Sequence, residues 1–341
     1  MPRLAFSFPI SEESNFFANY DVLVQRPSSN TIATPADYFY FTDNPFSVKN
    51  NPDLQPERTI TFEVGFQQQL SKSSKIKISS YVREMRDMIQ VRTFFPVPVI
   101  SQYTTYDNLD FGTVKGFSFE YELRRTGNTS LMANYTIQFA EGTGSDANSQ
   151  RGLTSRGNLR TLFPLNFDER HRINLNFDYR FLSGNAYTGP EFFGAKILAN
   201  TGINLQGVAV SGRPYTAQQT PLELGGAQTI GSLNGARKPW TLSVNLRVDK
   251  TFAVAKGLDV NVYCRVSNLL DRKNVLAVYP VTGSAEDDGF LASANGQDKL
   301  LTIQTSARLV DAYLASYQWR ILNPGFFGGP RHIFIGSIVN F

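Results

Sequence analysis

The sequence is poor in the residues on which nucleophilic and transition-metal chemistry most often depend. Its 341 residues include a single cysteine, Cys264, and two histidines, His171 and His332. One cysteine excludes an internal disulfide and argues against a thiolate metal cluster, and two histidines are a poor supply of further ligands. We therefore expect no cofactor and no set of catalytic or metal-binding residues.

Long apolar runs, blocks of one charge and a signal peptide are also missing. No stretch approaches the roughly 18 consecutive apolar residues that a membrane-spanning helix needs. The formal net charge is only +4 and the Lys and Arg residues are scattered, so a nucleic-acid partner has little support. The first residues, "MPRLAFSFPI", lack the basic segment and continuous apolar stretch of a signal peptide.

What the sequence has in abundance is apolar and polar residues in alternation. Residues 240–249, "WTLSVNLRVD", alternate strictly, and residues 258–267 repeat the pattern after a turn at Lys256 and Gly257. A period of two predicts a strand with two unlike faces, and these two segments predict a long hairpin. Nine further segments predict strands, which makes about eleven in all: 3–9, 16–25, 58–67, 76–91, 117–124, 131–139, 172–181, 202–212 and 331–341. A phase slip near Glu84 and Met85 predicts a bulge or an extension beyond the regular sheet.

The links between the predicted strands differ at the two ends of the sheet. Short links follow the first, third, fifth and ninth strands, whereas the alternate links are long, at about 26–56, 93–110, 141–168, 213–238 and 269–329. The link at about 183–201 is the exception, because it is long but falls on the short-turn side. Only one weak helical stretch is expected, around 306–321.

A soluble sandwich and a membrane barrel both produce this alternation. Strands of about ten residues, turn and loop asymmetry, and aromatic residues near strand ends favour an all-β, antiparallel transmembrane β-barrel. A bilayer cannot satisfy an open sheet edge, so such strands close on themselves. The Leu, Val and Phe face is then expected to contact lipid. The opposite face would line the lumen with charged residues that form networks across strands, including Arg247, Arg265, Asp249, Asp259, Glu120 and Glu122.

Four stretches resemble those of TonB-dependent outer-membrane receptors. They are "NPDLQPE" at 51–57, "VSGRPYT" at 210–216, "VSNLLDRKNV" at 266–275 and the closing "PRHIFIGSIVNF" at 330–341. The long final loop resembles the Oar-like branch of that family. The resemblance implies a 22-stranded barrel in the cell outer membrane, of which residues 1–341 would be one partial domain supplying the last eleven strands.

The resemblance also implies partners and missing parts. The plug domain, the segment that contacts TonB and the first half of the barrel are expected to precede Met1, which would be a fragment boundary. The final residue, Phe341, would be the signal that the barrel-assembly machinery recognises. The remaining partners would be outer-membrane lipid, the TonB system through the missing part, and an extracellular ligand whose identity the sequence does not give.

The residues that could serve in catalysis or metal binding have no suitable partner residues near them in the sequence. His171 is interpreted as a polar residue at a strand boundary, His332 as one near the outer rim, and Cys264 as a small residue on the lipid face. Glu286, Asp287 and Asp288 could hold calcium, but a solvated acidic turn is favoured.

Three loop segments leave alternatives open. Gly142 and Gly144 do not form a phosphate-binding loop, so a flexible external loop is expected at 141–152. The aromatic residues at 306–321 either touch a ligand or pack the long loop against the rim, and packing is favoured. Those at 36–46 either bind a ligand or cover one another.

The primary hypothesis is therefore a ligand-importing receptor barrel that is not an enzyme. The alternative is an outer-membrane adhesion or structural barrel without transport. A third reading, a soluble all-β enzyme or lectin, would require a chain that stays monomeric in water without detergent.

Overall fold

The computed structural model describes residues 1–28, 47–94, 102–151, 157–226, 228–255, 257–306 and 309–341. The aromatic segment at 36–46, which was considered for ligand binding, lies outside these ranges. The described residues form fifteen strands: β1 (Arg3–Pro9), β2 (Ser14–Gln25), β3 (Val48–Lys49), β4 (Glu57–Ser71), β5 (Ser74–Phe94), β6 (Tyr103–Thr126), β7 (Thr129–Gly142), β8 (Phe163–Pro164), β9 (His171–Phe181), β10 (Thr201–Val210), β11 (Pro214–Tyr215), β12 (Ala236–Arg237), β13 (Thr241–Ala255), β14 (Leu258–Ser267) and β15 (His332–Asn340).

One continuous antiparallel sheet contains eleven of these strands, in the order β1-β2-β4-β5-β6-β7-β9-β10-β13-β14-β15. This confirms the predicted strand number and the hairpin of β13 and β14. The short strand β3 adds to β6 in parallel, β8 adds to β7, and β11 and β12 pair separately. Within the described ranges β1 and β15 do not pair with each other, so each is an edge of the sheet.

The two ends of the sheet carry different connections, as predicted. Short turns at 10–13, 72–73 and 127–128 lie at one end, which we call the turn end. Three long connections that we call the outer loops, 143–170, 211–240 and 268–331, leave from the opposite end, the loop end. This asymmetry is typical of bacterial outer-membrane barrels, whose periplasmic turns are short and extracellular loops long.

Strands β5 and β6 reach far beyond their neighbours at the loop end. They contain 21 and 24 residues, and their pairing continues to Phe94 and Tyr103. The register shifts between Met85 and Ile89, where Asp87 has a φ of 57°, which confirms the predicted bulge. The predicted long link at 93–110 is wrong, because most of it is strand. Residues 103–108 of β6, beyond the bulge, do not alternate in polarity, so the sequence carries no period-two signal there.

The strand registers place all the predicted apolar rows on one side of the sheet. Leu205 on β10 pairs with Phe177 and Leu246, whereas the adjacent Gln206 pairs with two asparagines. We call these sides the apolar face and the polar face. The apolar face exposes many large side chains: Leu4, Phe6, Phe8, Phe16, Phe62, Val64, Phe117, Phe119, Phe139, Ile173, Leu175, Phe252, Val254, Val262, Ile333, Ile335 and Val339. A patch this large is not stable against water and marks a surface that another apolar medium covers.

Two helices lie in the last outer loop. They are α1 (Ala294–Ser306) and α2 (Val310–Ile321), and α2 confirms the predicted helical stretch. Helix α1 was not predicted, because its sequence "ANGQDKLLTIQTS" has no clear apolar stripe and contains a glycine. Of the helices described, none has the length and apolar content to cross a membrane.

Candidate functional site

The polar face carries a chain of charges that crosses several strands. Asp178 on β9 is bonded to Arg125 on β6 and lies 3.3 Å from the Nε of Arg180. Arg180 in turn approaches Asp249 on β13 at 3.8 Å, and Arg247 approaches the same carboxylate at 3.6 Å. Opposite charges across neighbouring strands stabilise the register, and they leave a hydrophilic surface suited to line a lumen.

The other predicted lumen charges also lie on the polar face. Glu122 accepts a salt bridge from Lys75 at 2.8 Å, and the guanidinium of Arg265 lies 4.8 Å from the centre of the Phe334 ring. The registers place Glu120 opposite Lys77, and Asp259 opposite Asn340. All six charges therefore share one face, as the alternation predicts.

Aromatic rings on the polar face lie flat over glycines of the next strand. Phe17 covers Gly65, Tyr81 covers Gly116 and Tyr263 covers Gly336, and in each case a Cβ on the glycine would collide with the ring. Rings held against the wall in this way do not project into the space beside the sheet. Aromatic residues paired with glycine across strands also fix the register.

A buried polar cluster fixes the first outer loop to β5 and β6. Gln90 Nε2 donates to Asp110 Oδ2 at 2.8 Å and to Ser149 Oγ at 2.8 Å, and Thr143 Oγ1 donates to Asp110 Oδ1 at 3.0 Å. A Cβ at Gly144 would collide with the Asp110 carboxylate. Gly144 therefore allows the backbone to pack closely against the Asp110 carboxylate. That negative charge would repel a phosphate group. Residues 143–151, which the sequence predicts to be a flexible external loop, are tied to β5 and β6 by the hydrogen bonds of this cluster.

Asp168 connects the first and second outer loops. It is fully buried, accepts the Ala140 amide at 3.0 Å and the Arg170 Nε at 3.2 Å, and is bonded to Arg237. The Asn234 side chain adds a bond to the carbonyl of Pro164 at 2.8 Å. No short motif in the sequence marks Asp168, because its partners are distant along the chain.

The third outer loop packs on its own aromatic residues and on the second. Tyr317 of α2 is 3% exposed, stacks 5.7 Å from Phe290 and donates to Asp288 Oδ2 at 2.5 Å. Burial of the phenol, followed by its bond to the Asp288 carboxylate, holds the pKa of Tyr317 well above its usual value. Arg320, about one helical turn further along α2, pairs with Glu223 of the second loop at 2.8 Å. Tyr317 therefore packs within its own loop, and the contact of that loop with its neighbour is made by Arg320.

The acidic turn at 284–289 is only partly solvated. Glu286 and Asp287 are exposed, but Asp288 is 4% exposed and its other carboxylate oxygen accepts the Phe290 amide at 3.0 Å. The prediction of a solvated turn is thus wrong for Asp288, which anchors α2. Across the described ranges no three His, Cys, Asp or Glu side chains come together as metal ligands.

A cleft of about 410 Å³ lies where the first two outer loops meet the third. Glu169, Arg213, Lys238 and Leu276 line it. Glu169 Oε1 accepts Arg213 at 2.7 and 2.8 Å, while Lys238 Nζ donates only to the Leu276 carbonyl, at 2.8 Å, and has no carboxylate within 4 Å among the described residues. Burial and the nearby Arg213 charge lower the pKa of Lys238.

The two histidines and the cysteine occupy unremarkable positions. His171 Nδ1 lies 2.9 Å from the Tyr135 hydroxyl, and its ring stacks 5.7 Å from Trp240 on the apolar face near the loop end. Aromatic residues at that level are typical of a membrane interface. His332 begins β15 beside Phe334, and Cys264 pairs with Val248 and Ile335 on the apolar face.

Comparisons with known proteins agree with this architecture. The family model described as TonB dependent receptor-like, beta-barrel, matches residues 1–269. Comparison with curated protein sequences finds no match. Among solved structures, the chain resembles the pyoverdine outer membrane receptor FpvA from Pseudomonas aeruginosa PAO1 bound to pyoverdine, with a TM-score of 0.57 at 10% identity, over 100% of this chain and 36% of that one.

Two further solved structures share the fold. The ferric-catecholate import receptor Fiu from E. coli K12 has a TM-score of 0.50 at 15% identity, over 81% of this chain and 31% of that one. The copper transporter OprC has a TM-score of 0.50 at 13% identity, over 99% of this chain and 38% of that one. The chain thus spans about a third of the length of these structures. It is an outer-membrane protein and belongs to the TonB-dependent receptor β-barrel family.

Proposed function

We propose that this chain forms part of the wall and outer mouth of a receptor that takes up an anionic ligand by TonB-driven transport. The observation that carries the proposal is the set of three outer loops tied together above a charged polar face, around a cleft with excess positive charge. Interlocked loops form a preorganised rim, and convergent polar groups in a concave site are the usual features of a binding site.

The charge of the cleft supports an anionic ligand. Glu169 is the single acidic residue that lines it, and its two oxygens are taken by Arg213 and, at 2.9 Å, by Arg172. Lys238 is left with a backbone carbonyl as its one partner among the described groups. A ligand carboxylate or phosphate reaching Lys238 would gain a charge-assisted hydrogen bond in a partly desolvated site.

The test compares Lys238→Met with Arg331→Met in outer-membrane fractions that contain the receptor. Arg331 is an exposed cation of the third outer loop, 3.7 Å from Asp271, and serves as the control for loss of one positive charge. Citrate and pyrophosphate are the anionic probes, and maltotriose is the neutral one. We expect Lys238→Met to weaken retention of an anionic probe by about tenfold, since a hydrogen bond to a charged group contributes about 1.5–3 kcal/mol. Equal retention in the two variants would contradict the anionic site.

Energised uptake is tested separately in whole cells. Entry of the retained probe is measured with and without an uncoupler that abolishes the proton-motive force. Uptake that stops when the uncoupler is added supports the proposal that the receptor carries out energised transport. Retention without any uptake would instead support the adhesion or structural barrel.

We further propose the surroundings in which the chain works. The apolar face contacts outer-membrane lipid, because a bilayer is the medium that accepts such a surface. Residues 1–341 act as one partial barrel domain, with both sheet edges pairing to further strands of a larger barrel. Phe341, which is 98% exposed, is the contact for the barrel-assembly machinery.

A further inference from the structure

The connection between β9 and β10, residues 182–200, is long although it lies at the turn end. The turns at 10–13, 72–73 and 127–128 show that this end needs only a few residues to reverse the chain. Residues 182–200 therefore contain structure beyond what the hairpin requires.

This connection folds back onto the apolar face. The ring of Tyr187 lies 6.3 Å from that of Phe181, which belongs to the apolar row of β9. Lys250, on the apolar row of β13, is bonded to the carbonyl of Ile197. Thr201, where the connection enters β10, is 7% exposed, whereas Ile173 and Leu175 on the same face of the neighbouring β9 are 43% and 37% exposed. The segment thus lies beside the wall of the sheet and not beneath the polar face.

A tight turn at its centre presents two phenylalanines. Phe192 and Ala195 exchange backbone hydrogen bonds of 3.1 and 2.9 Å, which leaves Phe193 and Gly194 as the central residues. Their φ angles are 50° and 77°, as a type I′ turn requires. Asn-Gly is the usual pair there, and a bulky residue at positive φ is strained. Phe193 is nevertheless at this position, and its side chain is fully exposed.

The surroundings of the turn are amphipathic. The side chains of Phe192 and Ile197 are 58% and 50% exposed, respectively. Lys196 turns back, with its Nζ donating to the carbonyl of Gly184 at 2.9 Å and lying 3.9 Å from Glu191. Apolar tips beside a lysine that reaches towards polar groups are typical of segments in the membrane–water interface.

We propose that residues 192–197, the turn-end tip, insert into the inner leaflet of the outer membrane and anchor this side of the barrel to phospholipid. The tip is continuous with the apolar face through Phe181 and Lys250, so the bilayer that the proposed function places against that face also reaches the tip. This anchor does not depend on ligand uptake, and it holds for an adhesion barrel equally.

The first test measures the depth of position 193 in nanodiscs of phosphatidylethanolamine and phosphatidylglycerol. A nitroxide is attached at Phe193→Cys in a Cys264→Ser background, and the control label is at Lys72→Cys, in an exposed turn at the same end. We expect the label at 193 to collide readily with oxygen and poorly with a water-soluble nickel chelate, and the label at 72 to do the reverse. A label at 193 as accessible to nickel as that at 72 would overturn the proposal, because it would place the tip in water.

The second test needs no label. Trypsin cleavage after Lys196 is compared between the wild type and the Phe192→Ser/Phe193→Ser variant in the same nanodiscs, with cleavage after Lys72 as the internal control. We expect cleavage after Lys196 to be at least severalfold faster in the variant while cleavage after Lys72 is unchanged. Equal rates at Lys196 in a variant that is cut normally at Lys72 would overturn the anchor.

Discussion

Adjacent residues of a single strand meet opposite environments in this sheet. Leu205 points to the apolar face between Phe177 and Leu246, and Gln206 is exposed on the polar face with no side-chain hydrogen bond among the described groups. Both lie near the middle of β10, so they differ in face and hardly in depth. Within one peptide unit, this pair separates the row of the apolar face from the row of the polar face.

The substitution Leu205→Arg should destabilise the folded barrel by about 2–4 kcal/mol, because the proposed lipid contact of the apolar face would place the cation near the bilayer midplane. Gln206→Arg should cost much less, since water or polar groups meet that face. The measurement is the urea midpoint of each variant, unfolded reversibly from phospholipid vesicles. Similar losses at 205 and 206 would show that the two faces were assigned wrongly.

The faces of the strands could be predicted residue by residue because a period of two has one physical cause. Each side chain points away from its neighbours, so one lipid-facing row forces every second residue to be apolar. The rule fails where both sides of a strand meet water or protein. That is why residues 103–110 of β6, which lie beyond the bulge, were not predicted as a strand.

At the scale of elements, a buried hydrogen bond between a phenol and a carboxylate helps to hold α2 in place. Tyr317 donates to the buried Asp288 carboxylate, and both lie in an outer loop. Burial raises the pKa of Tyr317 above its usual 10.0, and the Asp288 charge raises it further. A group whose pKa is higher in the folded state contributes stability that is fully present below the unfolded pKa and is lost as pH rises above it.

The packing of α2 should therefore weaken progressively above about pH 10, the unfolded tyrosine pKa. The titration of Tyr317 is followed as the difference in tyrosinate absorbance between the wild type and Tyr317→Phe, which we expect to develop at higher pH than free tyrosine. In Asp288→Asn the same titration should move towards lower pH, because the carboxylate is gone while burial remains. A difference signal that develops like free tyrosine in the wild type would disprove this account.

Contacts of this kind could not be predicted from the sequence. Asp288 and Tyr317 are separated by 29 positions, and Asp168 and Arg237 by 69. Each is a common residue in a polar loop, with no spacing that distinguishes a buried partner from a solvated one. The helix at 310–321 was found through its aromatic spacing, whereas α1, with a weaker pattern, was missed.

At the scale of the whole molecule, the strand number and the unlike ends of the sheet were both predictable. The strand number followed from the number of alternating segments, and the unlike ends followed from the lengths of the links between those segments. The cleft beside Lys238 was not predictable, because it depends on how three loops meet. The fold could thus be predicted from a local pattern along the strands, while the cleft is specified by contacts between residues that are distant along the chain.

The last prediction concerns assembly. Replacing Phe341 should affect the insertion of the protein into the outer membrane of cells without affecting the stability of the folded protein. The side chain of Phe341 is 98% exposed and β15 ends one residue earlier, so it contributes little to the folded sheet. Phe341→Ser should leave the urea midpoint of the folded protein in vesicles unchanged. In cells it should lower the amount of protein in the outer membrane at least severalfold, if the assembly machinery recognises the aromatic ring.

Val339→Ser is the control: it removes an exposed apolar residue of the same face and strand while keeping Phe341. Equal loss in both variants would assign the effect to lipid contact, and a lower midpoint for Phe341→Ser would assign it to stability.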